Sequence, residues 1–212
     1  MVFDNNHATE YLAVADDSIR DLLAKDAGAD KNTVWSHVKD SDGISVHRGV
    51  VHNSPWNCIK ATAHVHCSAE TLAGHLADAS QMHIFDEMTD NCRVVEVLNP
   101  TASIRYVQAK PVFPTTARDF LVVTAEQRVG DTIVIGTKSI KHDDVPEDGS
   151  FVRAHTHVSG YLLRPVSSTE CQVTLIVHMD LGGYMPAAVI NLLSVSSPIK
   201  LMKRLQHLYS KQ

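Results

Sequence analysis

The sequence predicts an α+β fold: a long antiparallel β-sheet covered by one helix near the C-terminal end. Three observations point to it. A series of β-rich runs occupies residues 58–67 and 92–180, divided by short segments of turn residues. Helical periodicity is confined to the beginning, one short stretch near residue 70, and the end. Composition is that of a globular chain: 44% of the 212 residues are apolar and 20% charged. That length supports one sizeable core, so a single domain over residues 1–212 is expected.

From Thr9 to Lys25, Leu12, Ile19, Leu22 and Leu23 recur at roughly helical spacing, and Gly28 marks a stop. A second helical piece is expected through Val34, Trp35 and Val38. DSDG at 40–43 then makes a turn into ISVHRGVV, which alternates like a strand. CIKATAHVHC is β-compatible, and Ser68 is placed to cap a helix entered at Thr71 and Leu72. CRVVEVL, SIRYVQA, RDFLVVTAEQRV, DTIVIGTKSI, FVRAHTHVSGYLL and CQVTLIVHMD follow as strands, and their short separators favour sequential antiparallel neighbours.

A sheet with an apolar face must be covered, and the last segment is the largest element left for that task. It begins with LGGYMPAAVINLL, residues 181–193: Gly182 and Gly183 form a flexible joint, and Pro186 suits a first helical turn. Val189, Leu192, Leu193, Met202, Leu205 and Tyr209 fall near one face; Asn191, Ser194, Lys203, Arg204 and His207 fall elsewhere. Pro198 should kink or interrupt this helix about one-third of the way along. No internal repeat or low-complexity tract is visible.

The net charge of −5 gives no general attraction to nucleic acid. The N-terminus lacks the basic and apolar pattern of a secretory signal, and no run approaches the length of a membrane span. Cys58, Cys67, Cys92 and Cys171 are scattered with no C-x-x-C pair, which reads as reduced thiols in a cytoplasmic protein.

Chemistry is sparse. HVH at 64–66 and HTH at 155–157 place imidazoles at i and i+2, on one side of a strand, but nothing joins the two pairs or supplies further ligands. No metal or cofactor is expected. Nucleophile-elbow, P-loop, dinucleotide and H-E-x-x-H motifs are missing. Asp86-Glu87 reads as one carboxylate inside and one in solvent. PVFPTT, residues 111–116, sets Val112 and Phe113 between prolines where a polar connection is expected; such a loop either folds back on the core or presents an apolar tip to a ligand or membrane.

RDF at 118–120, DGSFVRA at 148–154, SGYLLRP at 159–165 and DLGGYMPAAVIN at 180–191 resemble the START family of lipid-transfer domains. DGISVH, the SAE at 68–70 and FD at 85–86 extend the likeness over nearly the whole chain, which in length is most similar to the small single-domain cytosolic members. The resemblance implies a helix-grip fold, a curved sheet wrapped around the long C-terminal helix with a tunnel for one lipid between them. It implies that Gly182 and Gly183 let the helix shift as a lid, with Phe113 and Met185 completing the gate. Asp86 and His157 match polar contacts of a ceramide-binding member, whereas Val107 stands where that member has glutamine. Arg105 and Thr124 occupy the positions of a buried charged pair in cholesterol-binding members, without reproducing it. The aromatic cage of the phosphatidylcholine-binding member has no counterpart, since Trp35 and Trp56 both lie early in the chain.

The family places Phe120, Val122 and Thr124 inward, and strand parity puts His155, His157, Ser159 and Tyr161 on one face. The expected function is non-enzymatic: binding and transfer of one sterol-like or other weakly polar lipid by a monomer that touches membranes transiently. Val189, Leu192 and Leu193 would contact the lipid body; Asp86, Arg105, Thr124, His155 and His157 would supply polar contacts. Lys200, Lys203, Arg204 and Lys211 either favour an anionic membrane or complement the helix dipole. The alternatives are a phospholipid or ceramide carrier of the same fold, a helix-grip cyclase or hydrolase using His155 or His157, and a lipid-dependent sensor of a partner protein.

Overall fold

The structure is a computed structural model that describes residues 5–186, 189–190 and 192–210. Helix α1 (Asn5–Asp26) is followed by strands β1 (Thr33–Ser41), β2 (Ile44–Val51) and β3 (Cys58–Val65). Helix α2 (Ala69–Ala77) leads through a 3₁₀ turn, Ala79–Gln81, into the single turn α3 (Met82–Phe85). Strands β4 (Thr89–Asn99), β5 (Ala102–Ala109), β6 (Arg118–Val129), β7 (Thr132–Ser139), β8 (Val152–Arg153), β9 (His155–Ser167) and β10 (Glu170–Asp180) come next. A π-helical turn, Leu192–Ser196, runs into the last helix, α4 (Ser197–Leu208).

The strands form one sheet in the order β1-β2-β3-β10-β9-β7-β6-β5-β4, antiparallel along this path, with β8 beside β6 in parallel. Short separators make sequence neighbours into sheet neighbours, as expected for hairpins. The α2–α3 insertion lets the chain leave β3 and restart at the far edge with β4, so that β10 returns to pair with β3.

Local chemistry explains several joints. Asp42 and Gly43, with φ of 53° and 75°, make a two-residue hairpin turn between β1 and β2, the role an Asp-Gly pair fills best. The Ser68 hydroxyl accepts the Thr71 N–H at 3.2 Å and caps α2. Gly28, with φ of 69°, ends α1 as expected.

Both faces of the sheet are covered. On one, α1 sets Ile19 and Leu22 against Val134, Val158, Leu162 and Ile176. Its close approach requires Gly136, where a β-carbon would lie 2.3 Å from the Ser18 hydroxyl oxygen. On the other face, α2 and α4 pack Leu72, Leu76, Met202 and Leu205 against Val46, Ala61, Val173 and their neighbours. This is the helix-grip arrangement, a curved antiparallel sheet holding a C-terminal helix.

Two expectations are corrected and a third takes a specific form. The helix through Val34, Trp35 and Val38 is instead the edge strand β1, paired with β2 from Thr33 to Ser41. Val34 and Val38 are exposed, so their helix-like spacing marks no buried face. The run FVRAHTHVSGYLL is broken: β8 pairs with the start of β6 through Arg118 and Asp119, and β9 begins at His155. The interruption of the last helix takes the form of the π-helical turn just ahead of Pro198, which stands in the first turn of α4 and lacks the N–H that would close an α-turn onto Ser194.

Candidate functional site: an apolar cavity beneath the gripped helix

Between the inner face of the sheet and the C-terminal segment lies a cavity of about 270 Å³. Alternate residues of the strands build its wall, because side chains at i and i+2 share a face. β6 contributes Phe120, Val122 and Thr124, β7 Ile135 and Thr137, and β10 Leu175, Val177 and Met179. Met185, Leu193, Pro198 and Leu201 close it from the helix side, and Val112 from the 111–116 loop.

Polar groups interrupt this apolar lining at several points. Asp86 closes the turn after α3, where its carboxylate accepts the Met88 N–H at 3.0 Å and the Thr89 hydroxyl at 3.1 Å. Burial pushes its pKa up, and the two hydrogen bonds oppose that only in part. Arg105, 8% exposed, donates from Nε to the Ser103 hydroxyl at 3.0 Å and from a terminal nitrogen to the Ala77 carbonyl at 2.5 Å. Among the described residues no carboxylate forms an ion pair with it, and burial lowers its pKa. The Thr124 and Thr137 hydroxyls bond each other at 3.0 Å across β6 and β7. Tyr161 presents a phenol that has no hydrogen-bond partner among the described residues, and burial pushes its pKa up.

The structure therefore brings Asp86, Arg105, Thr124, Phe120, Val122, Met185 and Leu193 to one cavity. It does not bring the histidines there. His155 and His157 lie on the opposite side of the sheet, in a polar cleft beside α1 that also holds Lys25, Lys138 and His178. The reason is a β-bulge. Val158 pairs with His178 and Thr156 with Met179, so His157 is an extra residue and the strand's parity changes across it. Thr156 then faces the cavity together with Ser159 and Tyr161. Ser159 and Tyr161 stand on the polar face expected to meet a ligand, whereas Thr156 is a residue sequence reasoning missed, and no sequence signal marks the bulge.

The outer cleft is chemically satisfied. Lys25 pairs with Asp30 at 2.5 Å and Lys138 with Asp21 at 2.9 Å, while the imidazoles of His155, His157 and His178 pack on one another. His64 pairs with Glu170 at 3.0 Å. No group of three metal-ligating side chains is placed to hold an ion among the described residues.

Two more expected contacts fall elsewhere. Leu192 is 36% exposed and outside the lining, because the π-helical turn shifts the phase of the stripe read at α-helical spacing. Val189 is buried but does not line the cavity. The basic residues of α4 bind the body of the protein: Lys200 pairs with Glu87, Lys203 with Asp42, and Arg204 donates to the Ile84 carbonyl. Asn191 and Lys211 lie outside the described residues.

At the mouth, the 111–116 loop does both things its composition allowed. Val112 turns inward, while Phe113 projects, 93% exposed. Gly182 and Gly183 adopt φ of 61° and 60°, and the Pro186 carbonyl accepts the N–H groups of Val189 and Ile190. Tyr184 is exposed beside this joint. No described helix is long and apolar enough to cross a membrane.

The comparisons agree with this architecture. Ceramide transfer protein of Xenopus tropicalis is 26% identical over 201 residues, covering 85% of this chain and 32% of that protein. Steroidogenic acute regulatory protein of Gallus gallus is 26% identical over 140 residues, 58% of this chain and 50% of its own length. This chain thus spans between a third and a half of these curated relatives. The structure of human StAR-related lipid transfer protein 5 superposes with a TM-score of 0.81 at 20% identity, covering 93% of this chain and 97% of that one. The START domain model matches residues 15–210, and the chain belongs to the START domain family.

Proposed function

We propose that this protein binds one lipid in the cavity and carries it between membranes, and that the lipid is sterol-like or otherwise weakly polar. The observation that carries this reading is the cavity itself: set between sheet and helix, lined mainly by apolar side chains, and supplied with several polar groups. Family membership supports the transfer role.

The size supports a compact lipid. A volume of about 270 Å³ lies near the lower end of ligand pockets, and it favours a single rigid body over a pair of acyl chains. The polar groups support a small head. Arg105 and Tyr161 have donors to offer, and Asp86 offers acceptor oxygens, enough for one or two hydroxyls and without an aromatic cage for a quaternary ammonium. A lipid of about 28 heavy atoms at roughly −0.3 kcal/mol per atom gives about −8 kcal/mol, which is micromolar affinity and compatible with release.

The mouth supports a membrane role. Phe113 on one side and Tyr184 on the other expose aromatic surface where a lipid would enter, and the double-glycine joint gives the helical segment a place to turn. The protein would act as a monomer in the cytoplasm, touching membranes only transiently. His155 and His157 line the outer cleft and not this cavity, which supports the carrier reading over an enzyme that would use them here.

Transfer between donor and acceptor vesicles of a fluorescent sterol, ceramide or phosphatidylcholine tests the proposal. Sterol should move faster than either competitor. Preferential phosphatidylcholine or ceramide transfer would overturn the sterol assignment, and no transfer of any of them would overturn the carrier role.

A further inference from the structure

Arg118 begins β6 at the point where the two segments of the cavity mouth meet. Its side chain lines the cavity and is almost fully buried. Nε donates to the Leu181 carbonyl at 3.1 Å, one terminal nitrogen to the Gly182 carbonyl at 3.1 Å, and the other to the Thr116 carbonyl at 2.5 Å. One guanidinium thus ties the end of the 111–116 loop to the glycine joint that precedes the last helical segment.

The charge of this group has no carboxylate partner. Among the described residues none forms an ion pair with Arg118, and the adjacent Asp119 is already occupied by a two-pronged bond from Arg153 at 2.9 and 3.0 Å and by the Tyr106 hydroxyl at 2.9 Å. Burial accordingly lowers the Arg118 pKa. Its donors are aimed at main-chain carbonyls of two separate segments, Thr116 on one and Leu181 and Gly182 on the other. The joint is held from a second side as well, since the Gly182 N–H donates to the Asp180 carboxylate at 2.8 Å. Space there is tight: a β-carbon on Gly182 would lie 3.0 Å from the Val152 side chain.

We propose that Arg118 is a positioning residue for lipid exchange: a latch whose guanidinium holds the loop and the glycine joint together and must release at least one carbonyl each time the mouth opens. The proposal rests on the reading of the cavity as a lipid site. Hydrogen bonds from a charged donor are stronger than neutral ones, so the latch sets the opening rate. Lysine cannot replace it, because a compact ammonium lacks the planar fork that reaches separate acceptors.

Two variants test it, Arg118→Met and Arg118→Lys. Exchange of a fluorescent sterol between phosphatidylcholine vesicles should accelerate by about tenfold in Arg118→Met, the rate equivalent of one charge-assisted hydrogen bond. Arg118→Lys keeps the charge and bulk and should give a smaller acceleration; it carries the test if the methionine variant does not fold. Hydrogen exchange on the lipid-free protein separates the latch from the lipid reading: the Thr115 and Gly182 amides, which bond the Val112 carbonyl and the Asp180 carboxylate, should lose protection while amides of α2 and β10 keep theirs. Folded variants with unchanged protection in both segments, or with sterol exchange at the original rate, overturn the latch.

Discussion

His157 and His178 stack ring on ring across the β9–β10 pair, with centroids 4.5 Å apart and planes inclined by 28°. The contact exists because the bulge at His157 turns that residue away from the cavity and onto its neighbour. His178 is buried, bonds the Ser54 hydroxyl at 3.1 Å, and has its pKa pushed down to about 4, first by burial and then by the charge of a protonated His157 and of Lys25; the Trp56 carbonyl and Asp30 oppose the shift. The folded state therefore binds fewer protons than the unfolded chain between about pH 6.5 and 4, so stability falls as the pH is lowered through that window. The full effect is about 3 kcal/mol. Urea unfolding at pH 7 and pH 4.5 should show a smaller acid loss in His178→Gln than in the original chain.

Among the described residues Arg105 forms no ion pair with a carboxylate, and such a buried cation contributes little to stability. Arg105→Met should leave the melting temperature unchanged or raise it, while sterol affinity falls by about tenfold through loss of a charged donor. A large drop in thermal stability, read by calorimetry, would show that the Ser103 and Ala77 bonds are structural supports instead.

Phe113 is exposed and outside the cavity lining. Phe113→Ala should therefore change unfolding free energy by no more than about 0.5 kcal/mol. If the ring acts at the membrane as proposed, transfer from vesicles should slow several-fold. Equal transfer rates with and without the ring would remove the loop tip from the account.

Gly136 lets α1 approach the sheet. Gly136→Ala would set a β-carbon 2.3 Å from the Ser18 hydroxyl oxygen and 3.1 Å from the Ile19 nitrogen, so the helix must shift. Denaturant unfolding should report a loss of about 1–3 kcal/mol, with sterol affinity retained because α1 lies across the sheet from the cavity.

The elements that were legible in the sequence are those whose signals are local. The apolar spacing of Ile19 and Leu22, the Asp42-Gly43 turn and the Ser68 cap each report their own backbone, and each is where it was expected. The inward set Phe120, Val122 and Thr124 follows from parity along an unbroken strand together with the family likeness. The failures share a cause. Trp35 and its two valines fit a helix and an exposed edge strand equally well until a partner strand is known. His157 was misplaced because one extra residue reverses every orientation before it, and the bulge arises from the pairing of β9 with β10. Leu192 was misplaced because a π-helical turn breaks the 3.6-residue period assumed for it.

The central claim is that one lipid occupies the cavity, and native mass spectrometry of the protein after incubation with sterol-containing vesicles tests it most directly. The account predicts a single adduct of sterol mass at one-to-one stoichiometry, and its loss in Val122→Phe, where a larger ring fills the space. An original chain that emerges empty from sterol, ceramide and phosphatidylcholine vesicles alike, or an adduct that persists undiminished in the filled variant, would contradict it.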